Sequence, residues 1–403
     1  MTKEYALVNG HLLTITQGVI EEGSIWVKEG KIHAIGAHLD LPENLQKIDL
    51  KGAWVTPGLI DAHTHISNFG EPGMMRAIAT SDGNEMTKPV TPAVRAIDAL
   101  YPFDPAIKKV RNAGITTACT LPGSGNLIGG RSVVYKLRGR TVEEMVIPGK
   151  EQMKMALGEN PKTNYAQRHV IYTRMGNAEQ MREALYDAVT YAEQKEEAEK
   201  KGDYFAKDIN KEALLPVVKG EMRCRIHSHR ADDIMTAVRI SEEFGLKFSI
   251  EHCTEGYKIK DFLAEKNVQA VVGPIGMTPY KQEIWGMRLE NAGELVKAGV
   301  RICLTSDTSS HTCYLPLEVG ILTAYGLPEE EAFKALTINP ATLLGIEDRV
   351  GSLEVGKDAD IAVFTGHPLL NTTRCKMTII DGEIFHDEVQ DSYLELDYAS
   401  FQA

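Results

Sequence analysis

The 403-residue chain has no run approaching the roughly 18 apolar residues of a membrane-spanning helix, so no membrane partner is expected. It also lacks an excess of basic charge. Its 44 Lys and Arg stand against 56 Asp and Glu, a formal net charge of -12, which argues against nucleic acid as a partner. The six cysteines, Cys119, Cys224, Cys253, Cys303, Cys313 and Cys375, show no CxxC spacing and mostly lie in apolar stretches. Buried thiols are therefore expected, not a disulfide framework or a zinc ribbon. The opening MTKEYALVNG has no basic start leading into an apolar core, so a cytoplasmic protein is expected. The glycine-rich GSGNLIGGR at 123–131 lacks the lysine of a phosphate-binding loop and does not match GxGxxG. It reads as a flexible loop over a pocket.

What is present is a globular composition, 43% hydrophobic and 25% charged, able to bury a large core. Both ends read as short strands broken by glycine: YALVNGHLLT, GSIWVKEGKIHAIG and QKIDLKGAWV at the start, DADIAVF and MTIIDGEIF at the end. Neither end alone is long enough for a stable sheet, so residues 1–55 and 347–403 are expected to join in one composite β-sandwich domain. Between them, 56–346 alternates strand-like and helix-like segments, which predicts a parallel sheet of βα units. Candidate strands end near His63, Leu121, Leu137, Leu157, His227, Glu251, Gly273 and Ser306. That is the number of strands that closes a (β/α)8 TIM-like barrel, and α/β is the expected class. Ile234, Val238, Ser241 and Phe244 fall at helical spacing, and Met181, Leu185, Ala188 and Ala192 form a second stripe. Long loops at 66–104 and 122–131 leave from the carboxyl side, where barrels build pockets.

The chemistry is concentrated at those strand ends. TPGLIDAHTH closes an apolar run with His63 and His65, and residues i and i+2 of a strand share a face, so both imidazoles can point at one metal ion. His227, His252 and Asp307 each end a separate apolar run: EMRCRIH, LKFSIEH and VRICLTSD. One ligand per strand end is what a metal site at the mouth of a parallel barrel requires. His229 shares a face with His227, and either takes its place as ligand or touches substrate. Arg230, Tyr257 and His311 lie just beyond strand ends and are pocket candidates, whereas His169, His367 and His386 read as ordinary surface or loop histidines.

Taken together, these motifs resemble the amidohydrolase superfamily of metal-dependent hydrolases, nearest its imidazolonepropionase-like and prolidase-like members. The resemblance spans essentially the whole chain, through TPGLIDAHTH, IHSHRADDI, IEHCTEGY, LTSD, NPATLLGI and GSLEVGKDADIAVF. It implies two divalent metal ions, with zinc the first choice. His63 and His65 would hold the first and His227 and His252 the second, with Asp307 as ligand and catalytic proton carrier. It also implies a bridging ligand from EQMKMALGENP. Lys154 as a carbamate would supply two anionic oxygens, and Glu159 is the alternative bridge.

The implied reaction is attack of a metal-held hydroxide on an amide-type carbonyl, in a dipeptide, an N-acyl amino acid or a cyclic amide. Single-metal deaminases and imidazolonepropionases commonly carry a glutamate three residues past the histidine equivalent to His227. This chain has Arg230 there, which cannot shuttle protons and suggests a carboxylate-bearing small-molecule substrate. The rival readings are a single-metal deaminase or imidazolonepropionase-like hydrolase and, from another class, a non-catalytic scaffold. No expected ligand is missing, which disfavours the scaffold. A homo-oligomer is compatible with all of these readings.

Overall fold

The computed structural model describes residues 4–70, 81–276 and 279–387. Five strands open the chain: β1 (Tyr5–Leu13), β2 (Val19–Lys28), β3 (Lys31–Gly36), β4 (Gln46–Asp49) and β5 (Trp54–Pro57). In β2 the alternation is visible in the burial, with Ile25 and Val27 inside and Ser24, Trp26 and Lys28 partly exposed, as a strand with one covered face requires.

The central segment carries β6 (Leu59–Thr64), β7 (Ile115–Thr120), β8 (Ile128–Arg131), β9 (Val133–Lys136), β10 (Met153–Ala156), β11 (Cys224–Ser228), β12 (Phe248–His252), β13 (Ala270–Val272) and β14 (Ile302–Leu304). β15 (Ile361–Phe364), β16 (Cys375–Ile380) and β17 (Glu383–Asp387) return to the first sheet. The order there is β17-β16-β15-β5-β1-β2-β3, with β4 also on β1, so both ends of the chain share one sheet. Leu7, Leu12, Ile25, Val27 and Val55 from one end pack with Ile361, Val363, Met377 and Ile379 from the other in a core of their own. Residues 1–3 and 388–403 of the expected terminal domain lie outside the described residues.

In the centre, β10 to β14 run parallel in one sheet that ends in β8, and β6, β7 and β9 form a second. These parallel strands are buried on both faces, which is why they read as continuous apolar runs. Thr305 Oγ1 donates to His63 O at 2.6 Å and His65 N donates to Thr308 O at 2.9 Å, so the carboxyl ends of β14 and β6 lie side by side. Ile60, Ala62, Cys119, Val271 and Cys303 pack together with Leu343, Leu344 and Ile346.

The third expected strand is the main departure. The stretch ending near Leu137 is not a parallel strand but two short ones, β8 antiparallel to β10 and β9 antiparallel to β7. Gly130, inside β8, sits at φ 119°, where any Cβ would meet Val94 O at 2.4 Å, and the ladder between β8 and β10 shifts register beside it. The glycine-rich 123–131 is not a flexible cover either. Most of it is buried, and the Asn126 amide is tied to Glu85 O and Lys88 O. Of the 66–104 loop, residues 71–80 lie outside the described residues.

The helices match the stripes more closely. Arg174–Lys201 buries Met181, Leu185 and Ala188, then Tyr191 where Ala192 was expected, before its charged end, and Ala231–Glu243 buries Ile234, Val238 and Ser241. β9 is bound to the terminal sheet by charge. Lys136 Nζ lies 2.7 Å from Asp358 Oδ2 and 2.9 Å from Asp360 Oδ1, and also contacts Asp381. Among the described residues no helix is long and apolar enough to cross a membrane.

Candidate metal centre

β6 brings His63 and His65 out on one face, and their hydrogen bonds fix which nitrogen of each ring is available. His63 Nδ1 is 2.6 Å from Glu251 Oε2. A carboxylate only accepts, so the proton stays on Nδ1 and the lone pair on Nε2. That Nε2 lies 3.1 Å from Lys154 Nζ and 3.4 Å from Asp307 Oδ1. His65 Nδ1 donates to Leu121 O at 3.0 Å, which leaves its Nε2 3.2 Å from the same Asp307 oxygen. Burial, with help from Lys154, pushes the His63 pKa well below the usual imidazole value, so the ring is a neutral donor. Burial would raise the Asp307 carboxyl, but His252, His65 and His63 hold it well below the usual carboxylate range. Asp307 and His252 adopt the left-handed backbone, φ 55° and 71°, a conformation concentrated at functional sites.

The second group is His227, His229 and His252, all buried, with ligand atoms within 4.8 Å of one another, as they are in His63, His65 and Asp307. β11 puts His227 and His229 on one face. His229 Nδ1 is 2.7 Å from Thr254 Oγ1, and His252 Nδ1 donates to Gly273 O at 2.8 Å. Burial lowers the pKa of all three, so each is the neutral imidazole that metal binding needs.

Behind the first group stands an anchor that the sequence reading missed. Arg225 Nε and Nη2 donate to Glu251 Oε1 and Oε2, both at 2.7 Å, Ser249 Oγ adds a third bond at 2.7 Å, and Arg225 Nη2 also reaches Ala62 O at 2.9 Å. Burial alone would raise the Glu251 carboxyl, but Arg225 and His63 hold it well below its usual value. The available signal was a charged residue inside each of two apolar strands, in CRIH and IEH.

Of the two bridge candidates, Lys154 lies against His63. It is buried on β10, and burial brings its pKa down to about 8. Glu159 instead accepts from Glu283 N at 3.0 Å, while its own N–H donates to Glu283 Oε2 at 2.7 Å. Three pocket candidates are engaged elsewhere. Arg230 is bidentate on Asp232 through two 3.0 Å bonds, the Tyr257 ring lies 4.7 Å from the Arg288 guanidinium carbon, and His311 is largely exposed and 3.0 Å from Glu318. His386, expected on the surface, is buried in β17.

The donors fit divalent cations: neutral imidazoles with oriented lone pairs, an ionised carboxylate, and Asp307 Oδ1 buried without a hydrogen-bond partner. The model of the amidohydrolase family matches residues 54–385. The chain belongs to that family.

It is similar to an amidohydrolase from Thermotoga maritima MSB8, at 39% identity and a TM-score of 0.91, covering 95% of this chain and 100% of that one. It is 28% identical to an imidazolonepropionase of Shewanella baltica (strain OS185) over 92% of this chain and 94% of the relative. It is also 28% identical to amidohydrolase tasK of Hapsidospora irregularis over 87% of this chain, but spans only 38% of that relative's length. A prolidase solved with N-methylphosphonate-L-proline shares the fold, with a TM-score of 0.57 at 18% identity. These structural neighbours imply a TIM-like barrel with mixed α/β content. The protein is an enzyme, a metal-dependent hydrolase acting on C–N bonds.

Proposed function

We propose that this amidohydrolase cleaves an amide-type bond of a small molecule, a dipeptide, an N-acyl amino acid or a cyclic amide, with two zinc ions. The observation that carries this reading is the adjacency of two donor groups, His252 Nδ1 of one lying 3.8 Å from Asp307 Oδ2 of the other, with the Lys154 amine against the first. Bound divalent ions lower the pKa of water from 15.7 to about 7 and polarise a carbonyl.

His63, His65 and Asp307 hold the first ion, and His227 and His252 the second. Imidazole with carboxylate is a donor set that suits zinc. Lys154 would supply the bridging group. An amine half-neutral near pH 8 can react with carbon dioxide, and the carbamate replaces a repelling ammonium with two anionic oxygens. For Glu159 to bridge, its carboxylate would have to leave Glu283 N. Asp307, kept ionised by its histidine neighbours, takes the proton of the attacking water and delivers it to the leaving nitrogen.

His229, Arg230, Tyr257 and His311 are assigned to the substrate, Arg230 by exchanging Asp232 for a substrate carboxylate. Residues 1–55 with 347–403 form the β-sandwich domain and 56–346 the (β/α)8 barrel, a division supported by the separate terminal core. A cytoplasmic setting accords with the buried thiols Cys119, Cys224, Cys253 and Cys303.

A second reading, single-ion opening of an imidazolone ring, draws support from the full-length imidazolonepropionase relatives. A screen of dipeptides, N-acyl amino acids and cyclic ureides, with and without chelator, separates the two. Chelator-sensitive release of an amine from one of those classes is expected. Turnover confined to an imidazolone ring would support the second reading instead.

A further inference from the structure

Beside the three-histidine group stands a carboxylate that the reading above leaves without a role. Glu283 lies in the short helical turn Gln282–Ile284 after β13, and its side chain is fully buried. One end of it is fixed, because Oε2 accepts from Glu159 N at 2.7 Å while Glu283 N donates back to Glu159 Oε2 at 3.0 Å. The other oxygen, Oε1, faces the histidines, 3.5 Å from His227 Nε2 and 3.8 Å from His229 Nε2.

Those separations have a geometric meaning. Zinc–nitrogen and zinc–oxygen bonds of about 2.0–2.2 Å at tetrahedral angles place two ligand atoms about 3.3–3.5 Å apart. Asp307 Oδ1 meets its two histidines at 3.4 and 3.2 Å, so Glu283 stands to His227 and His229 much as Asp307 stands to His63 and His65. The imidazoles are oriented to match. His229 and His252 are each tied at Nδ1, to Thr254 Oγ1 and Gly273 O, and a tied ring nitrogen leaves the opposite one for an ion. Their rings are stacked at 18°, while that of His227 stands at 86° and 70° to them.

A cation already contacts this oxygen. Lys281 Nζ is 2.6 Å from Glu283 Oε1 and 3.1 Å from Asn160 Oδ1, so the ammonium keeps a second partner when Oε1 is engaged elsewhere.

We propose that Glu283 is a ligand of the second ion and that, with His227, His229 and His252, it forms a three-histidine, one-carboxylate site. His229 then binds the ion together with His227, which replaces the substrate role given to it above. The inference rests on the two-ion reading and adds two ligands to it.

The test is zinc affinity, measured by chelator competition on the full chain, with zinc counted by mass spectrometry. Glu283→Gln keeps the shape and an oxygen for the Glu159 N–H, but removes the charge. Residues that only orient a ligand change metal affinity by about 10–100-fold. A ligand should do more, so Glu283→Gln and His229→Asn should each weaken one of two zinc ions by over ~100-fold and leave the other unchanged. Lys281→Met should keep both ions, because it removes a competing cation. Two ions held with unchanged affinity by Glu283→Gln, or weakened only about 10–100-fold, would overturn the inference and leave the two-ion reading standing. If Glu283→Gln does not fold, His229→Asn decides: two tightly held ions there overturn the inference. One ion in the parent protein would sink both.

Discussion

Replacing Glu251 by glutamine should damage stability and metal binding together, because one carboxylate serves both. Its oxygens are fully buried and accept two 2.7 Å bonds from Arg225, one from Ser249 and one of 2.6 Å from His63. Glutamine fits the space but leaves the Arg225 guanidinium buried without a counter-ion, and breaking a buried pair from one side costs roughly 3–5 kcal/mol. Native domains are held by only about 5–15 kcal/mol, so the urea midpoint should fall markedly. The amide can also present its NH2 group to His63 Nδ1. That would move the ring proton to Nε2 and remove the lone pair facing Lys154 and Asp307. Zinc affinity at the first group should therefore drop about 10–100-fold, as measured by chelator competition.

The pH dependence has a definite sign. Arg225 and His63 hold the folded-state pKa of Glu251 well below its usual value, so its stabilisation is present above about pH 4.3 and is lost as the pH falls through the folded-state pKa. Glu251→Gln should flatten that acid limb. An unchanged urea midpoint together with unchanged zinc affinity would refute the coupling of Arg225, Glu251 and His63.

Asp307→Asn should weaken zinc at the first group and, with zinc in excess, still lower turnover by about 10²-fold or more, and near-normal turnover would remove it from proton transfer. Lys154→Ala should lose the bridged pair of ions and regain part of its activity with short carboxylates and bicarbonate, whereas Glu159→Ala should keep both ions; the reverse pattern would make Glu159 the bridge. Carbamate formation requires the neutral amine, so reconstitution of the parent with zinc and bicarbonate should rise with a midpoint near pH 8, and a rise only above pH 10 would contradict the lowered pKa of Lys154. Arg230→Met should erase any preference for free carboxylates over capped substrates; if the preference survives, Arg230 serves only its ion pair with Asp232.

Ligands at strand ends were legible in the sequence because a parallel strand declares itself as an apolar run, and a polar residue at its carboxyl end stands out. His63, His65, His227, His252 and Asp307 stand out as candidate ligands in this way, and the structure places them, with His229, in two neighbouring groups that could hold metal. The split terminal sheet was legible for a similar reason, since neither end could bury a face alone. What supports those ligands was harder to see. Arg225 and Glu251 neutralise each other across two strands, and nothing in either strand alone reveals its partner. Glu283 lies in a single helical turn after β13, and its approach to His227 depends on the exchange of backbone bonds with Glu159. The third strand was misread because β-propensity in SVVYK gives no direction, and the stretch pairs antiparallel with β7.

The central claim, hydrolysis that depends on two ions, is tested most directly by titrating metal-stripped protein with zinc in the presence of bicarbonate while following turnover of whichever substrate the screen identifies. Turnover should climb until two equivalents of zinc are bound per chain and then level off. A plateau at one equivalent, or turnover that persists in the stripped protein, would contradict the account.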